Sequence, residues 1–183
     1  MKIYLFLATL LLLISCSPVE ESYEYNGYSF TPVENYWGVT IRTAEGDKNI
    51  IFYHHPEELE EFQYEERTTD YFQEVLGNNG NVLIGIGEEL SNSGTVALAG
   101  VEVSKVTGKA LGMNTESGIT SEGYGTKVVN CGDADSNTFV LEFRLGEEEG
   151  ITSEDHCGVI TAESQDSLTE LSNLFVYKIL GIM

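Results

Sequence analysis

Asn81-Val82-Leu83-Ile84-Gly85-Ile86, followed shortly by Ser93-Gly94-Thr95-Val96-Ala97-Leu98, decides the fold of this chain. Val82 to Ile86 is an unbroken apolar run. Such a run marks a strand covered on both faces rather than one that alternates between core and water. Ser93 is a helix cap, because its hydroxyl can accept from an early backbone N–H. From there Val96, Ala99, Val103, Val106 and Ala110 recur at three and four residues, so the spacing predicts a helix to Leu111. Gly112 is its stop. The small residues Ala97, Gly100, Ser104 and Gly108 predict a close approach to the sheet. A buried strand that hands over to a helix implies a mixed α/β fold.

Working toward the C-terminus, Gly112 to Thr126 is rich in Gly, Ser, Thr and Glu and reads as a loop. Lys127 to Cys131 reads as a short strand. Phe139, Leu141, Phe143 and Leu145 alternate with Thr138, Val140, Glu142 and Arg144, which predicts a half-buried strand. Cys157 to Thr161 predicts another. Ser164 caps a closing amphipathic helix whose face is Leu168, Leu171, Phe175, Ile179 and Ile182.

Toward the N-terminus, residues 23 to 53 predict an antiparallel β-meander. Asn26-Gly27 sits between Tyr23-Glu24-Tyr25 and Tyr28-Ser29-Phe30, a two-residue hairpin signal. Trp37, Val39 and Ile41 have the period of a strand, and Ala44-Glu45-Gly46-Asp47 turns the chain into Lys48 to Tyr53. His54-His55-Pro56 ends the meander, since Pro56 cannot continue a ladder and suits a first helical turn. Residues 57 to 67 are acidic and read as an irregular or partly helical connector. Thr69 to Leu76 reads as a short helix stopped by Gly77. The expected architecture is one mixed α/β domain over residues 23–183. It has an N-terminal meander, a strand–helix unit, further strands and a C-terminal amphipathic helix on a mixed sheet.

This pattern resembles a group of small, membrane-anchored archaeal proteins of unknown function. The likeness rests on Asn81 to Ile86, Ser93 to Leu98, Cys157-Gly158-Val159-Ile160 and the ending Leu174-Phe175-Val176-Tyr177-Lys178-Ile179-Leu180-Gly181-Ile182. The resemblance implies an exported, anchored domain with a mixed sheet. It implies no particular activity.

The anchor itself is read from the first residues. Lys2 precedes an apolar run from Ile3 to Ile14, about twelve residues against the roughly 20 a spanning helix needs. The run closes on Leu13-Ile14-Ser15-Cys16, a lipobox. Residues 1–15 are expected to be a signal peptide, and Cys16 the lipidated first residue of the mature chain. Residues 16–22 form the anchor and a polar tether. The expected location is the cell membrane, facing the extracytoplasmic side, with the membrane as a partner through the lipid. An exported chain with two further cysteines predicts one disulfide, Cys131 to Cys157.

Composition narrows the partners. The chain carries thirty acidic and nine basic side chains, a net charge of −21. Losing Lys2 with the signal peptide makes the mature chain more negative still. Nothing here could neutralise phosphates, so nucleic acid is not an expected partner. A protein lying flat on anionic headgroups is disfavoured for the same reason. The bland account of the acids is a solubilising surface.

Gly85-Ile86-Gly87 follows a strand, but position 90 is Leu90 where a dinucleotide fingerprint needs glycine, so no nucleotide cofactor is expected. Asp133, Asp135 and Asn137 offer oxygens at alternate positions, as calcium loops do. Thr138 and Arg144 stand where an EF-hand needs Gly and Glu, which leaves only a weak cation candidate. His54 and His55 are adjacent, and in an extended segment they face opposite ways. His156 stands beside Cys157. No Gly-x-Ser-x-Gly, Ser-x-x-Lys or His-Glu-x-x-His occurs. Tyr23, Tyr25, Tyr28, Phe30, Tyr36 and Trp37 are expected to form the meander's core and cross-strand pairs. The functional expectation is a non-catalytic envelope protein that binds or contacts another surface component. The alternatives are an extracytoplasmic hydrolase acting through carboxylates and a cation-binding module.

Overall fold

The structure is a computed structural model that describes residues 22–43 and 46–183. The signal peptide, Cys16 and most of the tether lie outside the described residues, as do Ala44 and Glu45.

The N-terminal sheet has four antiparallel strands in sequence order: β1 Tyr23–Tyr25, β2 Tyr28–Val33, β3 Tyr36–Thr43 and β4 Gly46–Phe52. Asn26 and Gly27 both take positive φ, 47° and 83°. That is the demand of a two-residue hairpin turn whose twist matches its strands, and Asn-Gly meets it at least steric cost. Phe30, Val39, Ile41, Ile50 and Phe52 form the buried face. Pro56 opens a short 3-10 turn, Pro56–Leu59, capped by His55.

The second sheet has six strands in the order β5-β9-β10-β8-β6-β7. They are β5 Gln63–Tyr64, β6 Asn81–Ile86, β7 Asn114–Ile119, β8 Thr138–Leu145, β9 Gly150–Glu154 and β10 Cys157–Ala162. β9 and β10 are antiparallel, and every other neighbouring pair is parallel. The helices are α1 Arg67–Gly77, α2 Gly94–Ser104 and α3 Ser167–Ile179. The chain continues from α2 as a π-helical turn, Lys105–Ala110.

α3 lies between the two sheets. On one side Tyr177 meets Phe52 and Phe30 of the meander, ring centroids 4.5 and 5.9 Å apart. On the other, Phe175 meets Phe139 of β8 and Phe72 of α1, both at 5.8 Å. The expected amphipathic helix is therefore a central one. Leu168, Leu171, Phe175, Ile179 and Ile182 are buried as the spacing predicts, and so are Leu174, Val176 and Tyr177 on the remaining sides. Ser164 does brace its start, accepting from the Ser167 N–H at 3.3 Å.

Several expectations need correction. The segment Gly112 to Thr126 contains β7, a polar edge strand. Lys127 to Cys131 makes only an isolated bridge, Val128 to Ile119. β9 was hidden in the acidic stretch before Cys157. β8 is buried on both faces over Phe139 to Phe143, not half-buried. Its neighbours β6 and β10 both pair with it, so it sits inside the sheet. α2 packs on α3 rather than on the sheet. Its small residues face outward: Ala97 is exposed, and a Cβ at Gly100 would meet nothing within 4 Å. The apolar stripe Val96, Ala99, Val103, Val106 and Ala110 is buried as expected, and Ser93 caps the helix through the Val96 N–H.

Candidate ligand cleft beside the last strand of the meander

The residues singled out from sequence are used locally. Asp133 accepts from the Asn130 N–H at 2.9 Å, half of a capping box, and Asp135 accepts from the Asn137 N–H at 2.8 Å. These carboxylates serve turns, as Asx side chains commonly do. Neither belongs to a convergent set of metal-ligand types among the described residues. The set that does converge is Cys131, Glu142 and Cys157, with ligand atoms within 4.8 Å of one another. Its two sulfurs are already paired at disulfide distance, with Cα atoms 5.3 Å apart. The Glu142 carboxylate beside them accepts from the Cys131 N–H at 3.2 Å and from Arg144 Nε at 2.8 Å.

The histidines are dispersed. His54 faces Glu58 at 3.3 Å. His156 Nε2 lies 3.3 Å from Glu74 without hydrogen-bond geometry. Both carboxylates are about half exposed. His55 turns the other way, into the meander, where Tyr23, Trp37 and Phe30 surround its ring at 4.3, 4.7 and 5.3 Å. Burial among these rings lowers its pKa. None of the three joins a buried carboxylate and a hydroxyl.

A group with no motif in the sequence is assembled by α2, α3 and the end of β4. Glu102 on α2 is 2% exposed. Burying a carboxylate is tolerable only when both oxygens are paired. Here Lys105 donates to Oε1, and Asn173 Nδ2 donates to Oε2 at 2.9 Å. The Asn173 carbonyl oxygen accepts from the backbone N–H groups of Tyr53 and His54, 3.1 Å each. Tyr177 OH donates to the His54 carbonyl at 2.6 Å. Lys105 also donates to the carbonyl of Ile51 and sits 5.0 Å over the Phe52 ring. Burial lowers the Lys105 pKa, and Glu102 acts against that shift. The π-helical turn starts at Lys105, and such turns are frequent where a helix has been bent to a functional purpose.

This network floors a cleft of about 680 Å³. Its walls are Tyr36 and Tyr53, Asp47 to Ile51 of β4, and Lys109 of the π turn. The two tyrosines meet edge to face with centroids 4.9 Å apart. A second groove of about 890 Å³ adjoins it at Asp47 and Ala110 and runs toward Tyr28 and Leu180. β4 is the edge strand of its sheet, so the cleft lies along a strand edge. One signal of it stood in the sequence. Glu102 interrupts the apolar stripe of α2, and Lys105 follows three residues later, where the two can pair.

Comparison with protein-family models, with curated proteins and with solved structures yields no match.

Proposed function

We propose that this chain is an exported envelope domain, held to the extracytoplasmic face of the membrane by lipid at Cys16, that binds another component of the cell surface and does not transform it. The observation that carries the reading is the cleft beside β4. It combines two tyrosines with exposed and hydrogen-bonded polar groups over a buried, paired floor, which is the composition of a binding site. Lys105 and Glu102 in that floor are committed to each other and to backbone, so they orient rather than react. The Cys131–Cys157 pairing supports an oxidising compartment. The test is a photo-crosslinking residue in place of Tyr53 in the full chain, in its native membrane. A discrete adduct is expected at Tyr53 and none with the same residue in place of Leu145, an exposed position that does not line the cleft. Equal labelling at the two positions would sink the reading.

A further inference from the structure

We propose that the ligand of this cleft is a small carboxylate carried on a ring, an inference that rests on reading the cleft as the binding site. The first argument is the placement of charge. The chain has nine basic side chains against thirty acidic ones, and three of the nine, Lys48, Lys105 and Lys109, line this cleft. Five of the nine are held by carboxylates: Arg42 by Asp47, Lys105 by Glu102, Lys127 by Glu116, Arg144 by Glu142 and Lys178 by Glu66. In a molecule whose surface repels anions, the three lysines against Asp47 and Glu102 leave this cleft with one net positive charge. A cleft with low-dielectric walls strengthens that local field relative to open surface.

The second argument is how the cations are held. Lys105 is pinned between Glu102 and the Ile51 carbonyl, so its ammonium is a fixed point of charge. Lys109 is exposed on the same π turn and can swing to a ligand. Asp47, the acid at the rim, faces Arg42 at 3.6 Å, which offsets part of its repulsion. The balance favours one negative charge on the ligand rather than several, and the acids outside the cleft turn polyanions away. The third argument is the wall. Tyr36 and Tyr53 present ring surface, and Ile51, 46% exposed, forms an apolar lip. Tyrosine pairs of this kind give flat contact area with little loss of conformational freedom. A carboxylate at the lysines therefore leaves a ring body to lie against the tyrosines.

The test is amide chemical-shift titration of the full chain in mild detergent. The probes are glucuronate and benzoate, which share the ring carboxylate, with acetate and methyl glucoside as the charge alone and the ring alone. Saturable shifts are expected at residues 49–53 and 105–110 with at least one ring carboxylate, about tenfold tighter than with acetate or methyl glucoside. Whether glucuronate or benzoate leads tells a polar ring from an aromatic one. Lys109→Glu is expected to weaken that binding about tenfold, and Lys127→Glu, outside the cleft, by less than about twofold. Methyl glucoside binding in the cleft as well as the acids, or indifference to Lys109→Glu, overturns the carboxylate inference and leaves the cleft as a site. No shift in the cleft with any probe overturns the inference, and a crosslink at Tyr53 would then decide the cleft separately.

Discussion

The side chain of Asn173 donates to Glu102 at 2.9 Å, and both residues are buried. Through its carbonyl oxygen the same asparagine holds the backbone where the meander ends, at Tyr53 and His54. One amide thus joins the central helix, the outer helix and the N-terminal sheet. Asn173→Ala would leave a buried carboxylate one partner short and two backbone N–H groups unpaired. The expected loss is about 2–4 kcal/mol, from the cost of unsatisfied buried groups. Urea denaturation checks it. A loss under about 0.5 kcal/mol, the size of an ordinary surface change, would show that water replaces the amide.

Cys131 lies at the start of a 3-10 turn and Cys157 at the start of β10, 26 positions apart in sequence. Closing that loop restricts the unfolded chain, a gain of about 3 kcal/mol in the chain-entropy model. Reductant should lower the melting temperature by about 6–12 °C, the scale for a domain of this length. A Cys131→Ala, Cys157→Ala double variant should melt at the reduced temperature and ignore reductant. A melting curve of the native chain that reductant leaves unchanged would remove the bridge from the stability argument.

Local chemistry made much of this fold legible. The stripe from Val96 to Ala110 shows because every member faces the core at helical period, and Asn26-Gly27 shows because few other pairs accept its backbone. β7 does not show. Asn114-Thr115-Glu116-Ser117 is an edge, paired on one side by β6, and its polar residues have no apolar alternation. β8 misled for a different reason. Glu142 alternates with the apolar residues as a solvent-facing position would, yet it is covered and paired with Arg144. The cleft was out of reach because Tyr36, Lys105 and Asn173 meet only through tertiary packing. The central place of α3 is hidden likewise, since Leu174, Val176 and Tyr177 lie off the stripe that spacing picks out and are buried only because two sheets enclose the helix.

His55 is buried among aromatic rings, and desolvation lowers its pKa from the ordinary 6.5 despite Glu57 and Glu58 nearby. Below that ordinary value the unfolded chain takes up a proton that the folded one resists. Stability from neutral His55 is therefore fully present above about pH 6.5 and is lost as the pH falls toward the lowered folded value. His55→Phe fills the site without a titrating group. The stability of the native chain minus that of His55→Phe should fall between pH 7 and pH 5, about one proton's worth of slope at most. Taking the difference cancels the common titration of the carboxylates. A flat or rising difference would show that burial does not hold the ring neutral in the fold.

Cys16→Ala tests the proposed anchor. Without the thiol no diacylglyceryl group can be attached, and cleavage that depends on it stops. The expected result is a chain that moves to the soluble fraction or accumulates uncleaved, with a mass lacking the lipid. The same mass and membrane fractionation as the native chain would mean that the apolar run from Ile3 to Ile14 holds the protein by itself.

The central position of α3 makes its last turns indispensable. Leu174, Phe175, Val176, Tyr177, Ile179 and Ile182 are each no more than 3% exposed. Burial of such side chains is worth about 1.5–3 kcal/mol each, and a domain has only about 5–15 kcal/mol in total. Deleting residues 174–183 is therefore expected to abolish folding, read as loss of any cooperative thermal transition. Because a truncation can fail for many reasons, a milder variant separates the causes. Phe175→Ala keeps the chain length and removes one ring from the contacts with Phe72 and Phe139. Its expected cost is about 3–5 kcal/mol with an unchanged dependence on urea, the signature of a cavity in an otherwise intact core. A truncated chain that still melts cooperatively, or a Phe175→Ala chain of native stability, would place α3 on the surface rather than between the sheets.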